Sequence, residues 1–233
     1  MSLFGKSKPR ITSELLDTFK RQSRYQQLRD LGEGGLSKVY SSFDTYLNRV
    51  VAVKELKPDN IDDPLMLQSF ITESRLISYL DHPGVISLFD TFLRDDGTLC
   101  YTMKVIEGRP LADVLDYYRQ KKRSHIPLSR FHDIFEKLCE TLAYVHDKGV
   151  VHLDCKPDNI MIGRYGEVMV MDWGNAMLYN PEPYKKYLSR FSESADLIST
   201  RVDEENVLIG TPMYMSTEQT LEARETLKPT SAI

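Results

Sequence analysis

The chain has 233 residues, of which 41% are hydrophobic and 27% charged, and its formal net charge is −4. This is the composition of an ordinary globular protein with room for one large domain or two lobes around a cleft. The acidic balance argues against a nucleic-acid-binding protein, because binding phosphate backbones through bulk charge requires clustered Lys and Arg.

The cysteines and the apolar runs bear on location. The three cysteines are widely spaced, so they indicate neither a disulfide framework nor a Cys-x-x-Cys metal site, and a reducing compartment fits them best. No apolar run approaches the roughly 20 residues needed to span a bilayer. The first ten residues carry basic side chains without an apolar segment behind them, unlike a secretory signal. The sequence therefore predicts a cytoplasmic protein with no membrane segment in this chain and no nucleic-acid partner.

Residues 1–24 form an N-terminal extension, in which a short amphipathic patch predicts a helix over 11–19. From residue 25 onward, short β-prone segments separated by turn signals predict a mostly antiparallel sheet. One helix, over 64–80, interrupts the strands, because its apolar residues recur at three- and four-residue steps. The predicted strands cover residues 25–31, 38–43, 49–56, 85–92 and 99–105.

Beyond residue 108 the helical period dominates. It predicts a short helix over 111–119 and a longer one over 129–148, whose apolar face consists of Phe131, Ile134, Phe135, Leu138, Leu142 and Val145. Strands followed by helices indicate an α+β fold in two lobes. We expect an antiparallel-sheet lobe with one helix over about 25–107 and a mostly helical lobe over about 108–233.

A glycine-rich hairpin is predicted between the first two strands, in Leu31-Gly32-Glu33-Gly34-Gly35-Leu36-Ser37-Lys38-Val39. Glycine lets a backbone approach phosphate oxygens closely, so such a hairpin can cover the phosphates of a nucleotide. An ordinary tight turn explains the same residues equally well.

Lys54 ends the apolar strand segment Val51-Ala52-Val53-Lys54, and Glu73 lies inside the helix that follows. If the two side chains meet, Glu73 can hold the ammonium group against nucleotide phosphates. Separately, each residue has a simpler explanation, as the solvent-facing end of a strand and as a surface charge on a helix.

A polar loop over residues 151–160 is bracketed by apolar residues and concentrates reactive side chains. Asp154 can accept a hydroxyl proton there, and Asn159 can offer an oxygen to Mg²⁺, a hard cation that prefers oxygen ligands. Asp172, which follows the apolar run Val168–Met171, would supply a second ligand; a turn after a strand would also explain it.

Although each fragment has an ordinary explanation, their order along the chain has one shared explanation. From about residue 25 onward they resemble the eukaryotic-type (Hanks-type) serine/threonine protein kinases, and several stretches of the sequence are typical of bacterial members. Asp81–Ile86 is similar to the turn after the helix bearing Glu73, and Gly210–Glu218 to the segment that closes the activation loop. The resemblance implies a two-lobed protein-kinase-like fold that uses ATP and Mg²⁺ to phosphorylate Ser or Thr of a protein substrate.

The resemblance also implies a role for each catalytic side chain. Lys54, held by Glu73, would position the phosphates, and Asp154 would orient and deprotonate the acceptor hydroxyl. Lys156, the serine/threonine variant of the catalytic loop, would offset charge on the transferring group. The implied magnesium ligands are Asn159 and Asp172.

For the nucleotide itself, the resemblance makes Met103 the gatekeeper, and the backbones of Lys104 and Ile106 would hydrogen-bond adenine. The residues expected to contact ATP are Gly32, Glu33, Gly34, Gly35, Ser37, Val39, Ala52, Lys54, Met103, Lys104 and Ile106.

Several positions depart from the family pattern. Leu153 replaces the usual Arg before the catalytic Asp, so we expect activity not to depend on activation-loop phosphorylation through this contact. Trp173 replaces the usual Phe and can still pack beneath the helix bearing Glu73. Ser37, in place of the third glycine of the hairpin, and Thr217, in place of the usual Pro, are milder changes. The inserted charged stretch 181–205 is long enough to form a lid or a docking surface.

Thr230–Ile233 resembles the opening of the family's next helix, but Ala232 stands where a bracing Asp would be, and the sequence stops there. We therefore expect an incomplete helical lobe, exposed apolar surface on the helix over 129–148, and a partner chain that could cover it. Two alternatives stay open: a nucleotide-binding pseudokinase or regulatory fragment without turnover, and a small-molecule kinase on a related fold. The latter fits less well, because 210–218 resembles the protein-substrate segment.

Overall fold

The computed structural model describes residues 24–120, 127–190 and 210–219. The helix predicted over 11–19 and the segment Thr230–Ile233 lie outside the described residues. The described part begins with an antiparallel sheet and one helix and continues with helices and two smaller sheets. This is the α+β arrangement that the order of strands and helices predicts, and it agrees with the kinase-like fold that the resemblance implies.

The first sheet has the strand order β1-β2-β3-β5-β4, and every neighbouring pair is antiparallel. Its strands are β1 (Tyr25–Glu33), β2 (Ser37–Asp44), β3 (Arg49–Leu56), β4 (Leu88–Leu93) and β5 (Leu99–Met103).

Alternation along β3 decides which way its side chains face. Val51 and Val53 are fully buried in a small cluster with Tyr40 and Cys100, whereas Ala52 and Leu56 belong to the main core. Because successive strand residues point to opposite faces, Lys54 shares the main-core face with these two. The strand therefore directs the lysine towards the helix that covers this face.

That helix, α1 (Pro64–Tyr79), starts at Asp63, whose carboxylate accepts hydrogen bonds from the backbone N–H groups of Leu65 and Met66 at 2.9 and 3.3 Å. An acceptor at the cap and Pro at the first position are the usual signals of a helix start. The buried face of α1 includes Phe70 and Glu73, one turn apart. Glu73 is thus carried on the side of α1 that packs against the sheet.

The remaining elements follow β5. The helices are α2 (Leu111–Gln120), α3 (Leu128–Asp147) and α4 (Glu182–Leu188). One three-stranded sheet has the order β6-β8-β9, from Gly108–Pro110, Ile160–Gly163 and Val168–Val170. A two-stranded sheet pairs β7 (Val150–Val151) with β10 (Met177–Leu178). Short 3-10 turns cover Pro58–Asn60, Pro157–Asn159, Trp173–Asn175, Pro212–Tyr214 and Thr217–Gln219.

The strand predicted over 85–92 was wrong at its start, because β4 begins only at Leu88. Val85 closes a turn by donating its N–H to the carbonyl of His82, and it bridges in parallel to Val170 in β9. The apolar pair Val85 and Ile86 is buried because it joins the first sheet's region to the C-terminal elements, and not because it extends β4.

The apolar face predicted for the long helix divides into two parts in α3. Ile134, Leu142 and Val145 are buried, whereas Phe131 and Phe135 are 49% and 53% exposed, as expected from the sequence. Their rings stack with centroids 6.3 Å apart. Within the described ranges, no helix combines the length and the apolarity needed to cross a bilayer.

Gly149→Ala should destabilise the protein more than the matched substitution Gly97→Ala. Both glycines have a left-handed backbone, with φ of +80° and +85°, but a Cβ on Gly149 would overlap the carbonyl oxygen of Asn180, whereas one on Gly97 would meet no atom within 4 Å. The backbone conformation alone costs an L-residue about 1–2 kcal/mol. Only Gly149→Ala adds a steric overlap, so we expect it to lower the free energy of unfolding by more than about 3 kcal/mol.

Urea denaturation followed by circular dichroism measures both losses. Equal losses in the two variants would contradict the close approach of the chain after β10 to Gly149.

Candidate active site

The predicted pair of Lys54 and Glu73 is formed. The Lys54 Nζ atom lies 2.6 Å from Glu73 Oε1 and 2.8 Å from Oε2. The two side chains are only 12% and 2% exposed. The ammonium also lies 5.9 Å from the ring centroid of Tyr101, which faces it across the β3–β5 register. An ion pair withdrawn from water in this way is strongly oriented, unlike a surface salt bridge.

The catalytic-loop residues also meet. Asp154 Oδ2 accepts hydrogen bonds from Lys156 Nζ at 2.9 Å and from Asn159 Nδ2 at 3.1 Å. Asp154 Oδ1 accepts a hydrogen bond from the hydroxyl of Thr211 at 2.6 Å, and Lys156 Nζ lies 2.7 Å from the same hydroxyl oxygen. A single network therefore joins the loop after β7 to the segment at 210–219, although 57 positions separate Asp154 from Thr211.

The surroundings of Asp154 decide its charge. Burial would raise the pKa of this carboxyl group, but hydrogen bonds from Thr211, Lys156 and Asn159, with the positive charge of Lys156, outweigh burial and lower the pKa. Asp154 is therefore an ionised acceptor at neutral pH, with only 5% of its surface exposed.

Asn159 and Asp172 are neighbours because β8 and β9 pair. Asn159 directly precedes β8, Asp172 follows β9, and the N–H of Met171 donates to the carbonyl of Asn159 at 2.7 Å. A Cβ placed on Gly174 would lie 3.5 Å from Asp172 Oδ1 and 3.8 Å from Glu73 Oε2, so these two carboxylates flank the same point. Asp172 thus lies between the Lys54 pair and the Asp154 network.

This donor set fits Mg²⁺. The amide nitrogen of Asn159 donates to Asp154, which leaves the side-chain oxygen of Asn159 as an acceptor. Asp172 adds a carboxylate, and Mg²⁺ in nucleotide sites is commonly held by one or two such oxygens together with phosphates and water. Among the described residues there is no group of three or more His, Cys, Asp or Glu side chains that could hold a metal without a nucleotide.

Two buried rings support this loop. His152 is fully buried, and its Nδ1 atom accepts from the N–H of Asp154 at 3.2 Å, so its Nε2 atom donates to the carbonyl of Met171 at 2.9 Å. Burial lowers the pKa of His152, which keeps the ring neutral. Trp173 packs edge-on against His152 with ring centroids 4.7 Å apart. Trp173 lies in the main core with α1, as predicted for the residue in place of Phe.

The glycine-rich hairpin joins β1 to β2. A Cβ placed on Gly32 or Gly35 would meet no atom within 4 Å, and the hairpin is closed by the N–H of Gly34 donating to the carbonyl of Ser37 at 2.9 Å. At its base, Glu33 pairs with Lys57 at 2.6 Å. The hairpin therefore leaves open space beside its glycines.

The predicted adenine surface lies beneath this hairpin. Val39, Ala52 and Met103 all join the main hydrophobic cluster, and β3–β5 pairing places Ala52 opposite Met103. The N–H of Lys104 donates to the carbonyl of Ser87 at 3.0 Å, so Lys104 can offer a nucleotide only its carbonyl. The hydrogen bond expected between the Lys104 backbone and adenine can therefore involve only the Lys104 carbonyl.

Leu153 occupies an apolar environment at the position where the family pattern has Arg. It is 4% exposed and packs with Val151 and Met177, with Tyr179 beside them. Its backbone has a left-handed φ of 62°, and its carbonyl accepts from Gln219 Nε2 at 2.8 Å. Within the described residues, position 153 thus holds the 210–219 segment through its backbone and offers no cation to a phosphate.

Sequence reasoning missed Thr211 and Gln219 as site residues. Thr211 lies in the segment Gly210–Glu218, recognised only as the end of the activation loop, and Gln219 directly follows it. Their partners lie 57 and 66 positions away. The spacing of the motifs carries no signal for either contact.

A cavity of about 360 Å³ lies apart from this site. It is formed by the start of β6, the end of α2 and the β8–β9 turn, and it is lined in part by Arg109, Tyr117 and Arg164. Because none of the predicted site residues lines it, this cavity is distinct from the predicted active site.

Lys54→Met should lower the free energy of unfolding by about 3 kcal/mol or more, because it leaves the Glu73 carboxylate buried without its partner. The double variant Lys54→Met/Glu73→Leu should recover most of this loss, since replacing a buried ion pair by apolar side chains is often neutral. Urea unfolding of the three proteins measures both effects. A double variant as unstable as Lys54→Met would show that the pair is not the buried interaction described above.

Comparison with known proteins agrees with this geometry. A model of the protein kinase domain matches residues 25–231. The chain is 34% identical to the serine/threonine-protein kinase PknD of Chlamydia pneumoniae over 204 residues, which cover 85% of this chain and 22% of that protein. It is 33% identical to PknD of Chlamydia muridarum, over 88% of this chain and 23% of the relative. PknD of Protochlamydia amoebophila is 32% identical, over 88% and 21%.

The chain thus spans about a fifth of the length of the curated relatives that it matches. The family model, however, covers most of this chain, and the match contains every element of the site described above. The chain therefore belongs to the protein kinase domain family, in its bacterial Hanks-type serine/threonine branch.

Proposed function

We propose that this chain is a serine/threonine protein kinase domain that transfers the γ-phosphoryl group of Mg-ATP to a hydroxyl of a protein substrate. The observation that carries the proposal is the network of Asp154, Lys156, Asn159 and Thr211, which joins the catalytic loop to the 210–219 segment. Such a network supports proton acceptance at Asp154 beside a substrate-binding segment.

The residues divide the work of phosphoryl transfer. Lys54, oriented by Glu73, would bind the phosphates, and Asp154, ionised and fixed by three donors, would accept the proton of the attacking hydroxyl. Lys156 lies beside Asp154 and would offset negative charge that develops on the transferred group. When bound, Mg²⁺ supplies charge neutralisation at the phosphates, and Asn159 and Asp172 would hold it.

The nucleotide would occupy the space between the glycine-rich hairpin and the catalytic loop. Gly32, Gly34 and Gly35 would cover its phosphates, and the apolar surface of Val39, Ala52 and Met103 would contact adenine. We assign residues 25–107 to the sheet lobe and 108–233 to the helical lobe, with residues 1–24 as an extension.

We favour turnover over the alternative of a pseudokinase, because Lys54 contacts Glu73, Asp154 contacts Asn159, and the chain carries Asp172 as a second oxygen ligand. The hydrogen bond from Thr211 to Asp154 likewise favours a protein acceptor over a small molecule, because it holds the 210–219 segment beside the base. A cytoplasmic location, inferred from the cysteines, and a partner chain over the exposed part of α3 stay predictions.

Asp154→Asn should lower kcat by about 10²–10⁴-fold, the usual contribution of a general base, while ATP still binds. Asp158→Asn is the matched control, because Asp158 lies four positions later in the same loop and its side chain is exposed. Incorporation of labelled phosphate from ATP into a casein-like protein measures turnover, and ATP-dependent thermal stabilisation measures binding.

Equal incorporation by wild type and Asp154→Asn would contradict the assignment of the base. ATP-dependent stabilisation of the wild type without incorporation would instead support the pseudokinase alternative.

Thr211→Val should shift the acidic limb of the pH profile of kcat/KM to higher pH. The Thr211 hydroxyl is one of the groups that lower the pKa of Asp154, so its removal raises that pKa, and the active carboxylate is lost sooner as the pH falls. Thr211→Ser retains the hydroxyl and should keep the wild-type profile. Initial rates measured from about pH 4.5 to 8 provide the test, and coincident limbs in all three proteins would exclude this role of Thr211.

A further inference from the structure

The helix α4 lies in the part of the chain where the family pattern predicted only an inserted stretch. It spans Glu182–Leu188, and its residue Tyr184 is 4% exposed and belongs to the main hydrophobic core. A surface insertion has no need to bury a tyrosine. The position of α4 is therefore fixed by packing.

The partner of α4 is the C-terminal end of α1. The rings of Tyr79 and Tyr184 meet edge to face with centroids 4.9 Å apart, and those of Tyr79 and Tyr187 do so at 5.2 Å. The hydroxyl of Tyr79 donates to the carbonyl of Lys148, at the end of α3, at 3.3 Å. Tyr79 is thus enclosed by α4 together with the end of α3, and it is 6% exposed.

The start of α4 is tied to the catalytic loop. β10 pairs with β7, which leads directly into that loop, and the N–H of Asn180 donates to the carbonyl of Gly149 at 3.1 Å. The Asn180 side chain then accepts from the N–H of Glu182 at 3.1 Å. Because these contacts precede α4 directly, they fix α4 relative to the loop that carries Asp154.

Tyr79 and Glu73 are six residues apart in one continuous helix, a separation of about 9 Å along its axis. A helix of this length moves as a unit, so a shift of its C-terminal end displaces Glu73 from Lys54. The contact of α4 with Tyr79 is therefore mechanically linked to the lysine pair.

We propose that α4 is a built-in clasp that holds α1 where Glu73 pairs with Lys54, and that Tyr184 and Tyr187 are its positioning residues. The inference rests on the proposed kinase function and adds its regulation. Leu153 offers no cation to a phosphorylated residue, whereas aromatic packing on Tyr79 holds α1 without a phosphate. The proposal therefore predicts activity without phosphorylation of the activation segment.

Other contacts also hold α1, which limits the expected effect of removing the clasp. Trp173 packs against the helix in the core, and the hydroxyl of Tyr144 accepts from the N–H of Asp81, two residues after the end of α1, at 3.0 Å. We therefore expect weakened coupling and not complete loss.

Tyr184→Ala should lower kcat by about 5- to 150-fold, the usual range for coupling between two sites. Tyr184→Phe retains the ring and should restore activity. Tyr165→Ala removes a tyrosine that is 84% exposed elsewhere and should match the wild type. If Tyr184→Ala fails to fold, Tyr187→Ala tests the same contact at a residue that is already 38% exposed.

Two further measurements separate positioning from simple loss of structure. In a Glu73→Gln background the tyrosine substitutions should have no additional effect on kcat, because the clasp acts through Glu73. Hydrogen exchange of the amides of residues 64–79 should be faster in Tyr184→Ala or Tyr187→Ala than in the wild type, while exchange in β1 and β2 stays unchanged.

The outcomes are distinguishable. An inactive wild type would overturn the proposed function, and hydrogen exchange would still test the clasp. An active wild type that is unaffected by Tyr184→Ala and Tyr187→Ala would overturn the clasp alone. Loss of wild-type activity on phosphatase treatment would overturn independence from phosphorylation, and equal losses in the Glu73→Gln background would show that the tyrosines do not act through the lysine pair.

Discussion

Burial of the Lys54–Glu73 pair is the constraint on which the rest of the site depends. Taking two charges out of water costs several kcal/mol for each ion, and the cost is offset only while the ammonium and the carboxylate keep close contact. The sheet fixes Lys54, so the position of α1 decides whether the pair exists. Phe70, Trp173 and Tyr79 are the aromatic contacts through which the core holds that helix.

Two residues near the predicted catalytic base, one in the catalytic loop and one after β9, have a strained backbone. Leu153 and Asp172, neither of them glycine, have left-handed backbones with φ of 62° and 59°. Such conformations cost about 1–3 kcal/mol each and persist only where neighbouring contacts hold them. For Leu153 the contacts are its buried side chain and the hydrogen bond from Gln219 to its carbonyl. The 210–219 segment therefore stabilises the backbone of the catalytic loop at Leu153.

Local pattern predicted much of the fold, and long-range contacts account for what it missed. β3 has the predicted bounds, and α1 ends one residue from the prediction, because β-prone segments between turn signals and helical periodicity are local signals. The motifs also named Lys54 with Glu73, and Asp154 with Asn159, which are in direct contact. No local signal could place Thr211, Gln219 or α4, since each is fixed by partners that are distant in sequence.

An activation segment can be held by apolar packing or by an ion pair between a phosphate and an arginine, and the two kinds of contact respond to different conditions. A phosphatase removes the phosphate of such an ion pair, and salt weakens the attraction between phosphate and arginine. Aromatic contacts such as that of Tyr184 with Tyr79 depend on neither a phosphate nor the salt concentration. With Leu153 buried among apolar side chains, the described part of this domain has packing where the family pattern has a charge. If α4 holds α1 as proposed, a regulator could act by displacing Tyr184 from Tyr79, whereas an added phosphate would find no cation at position 153.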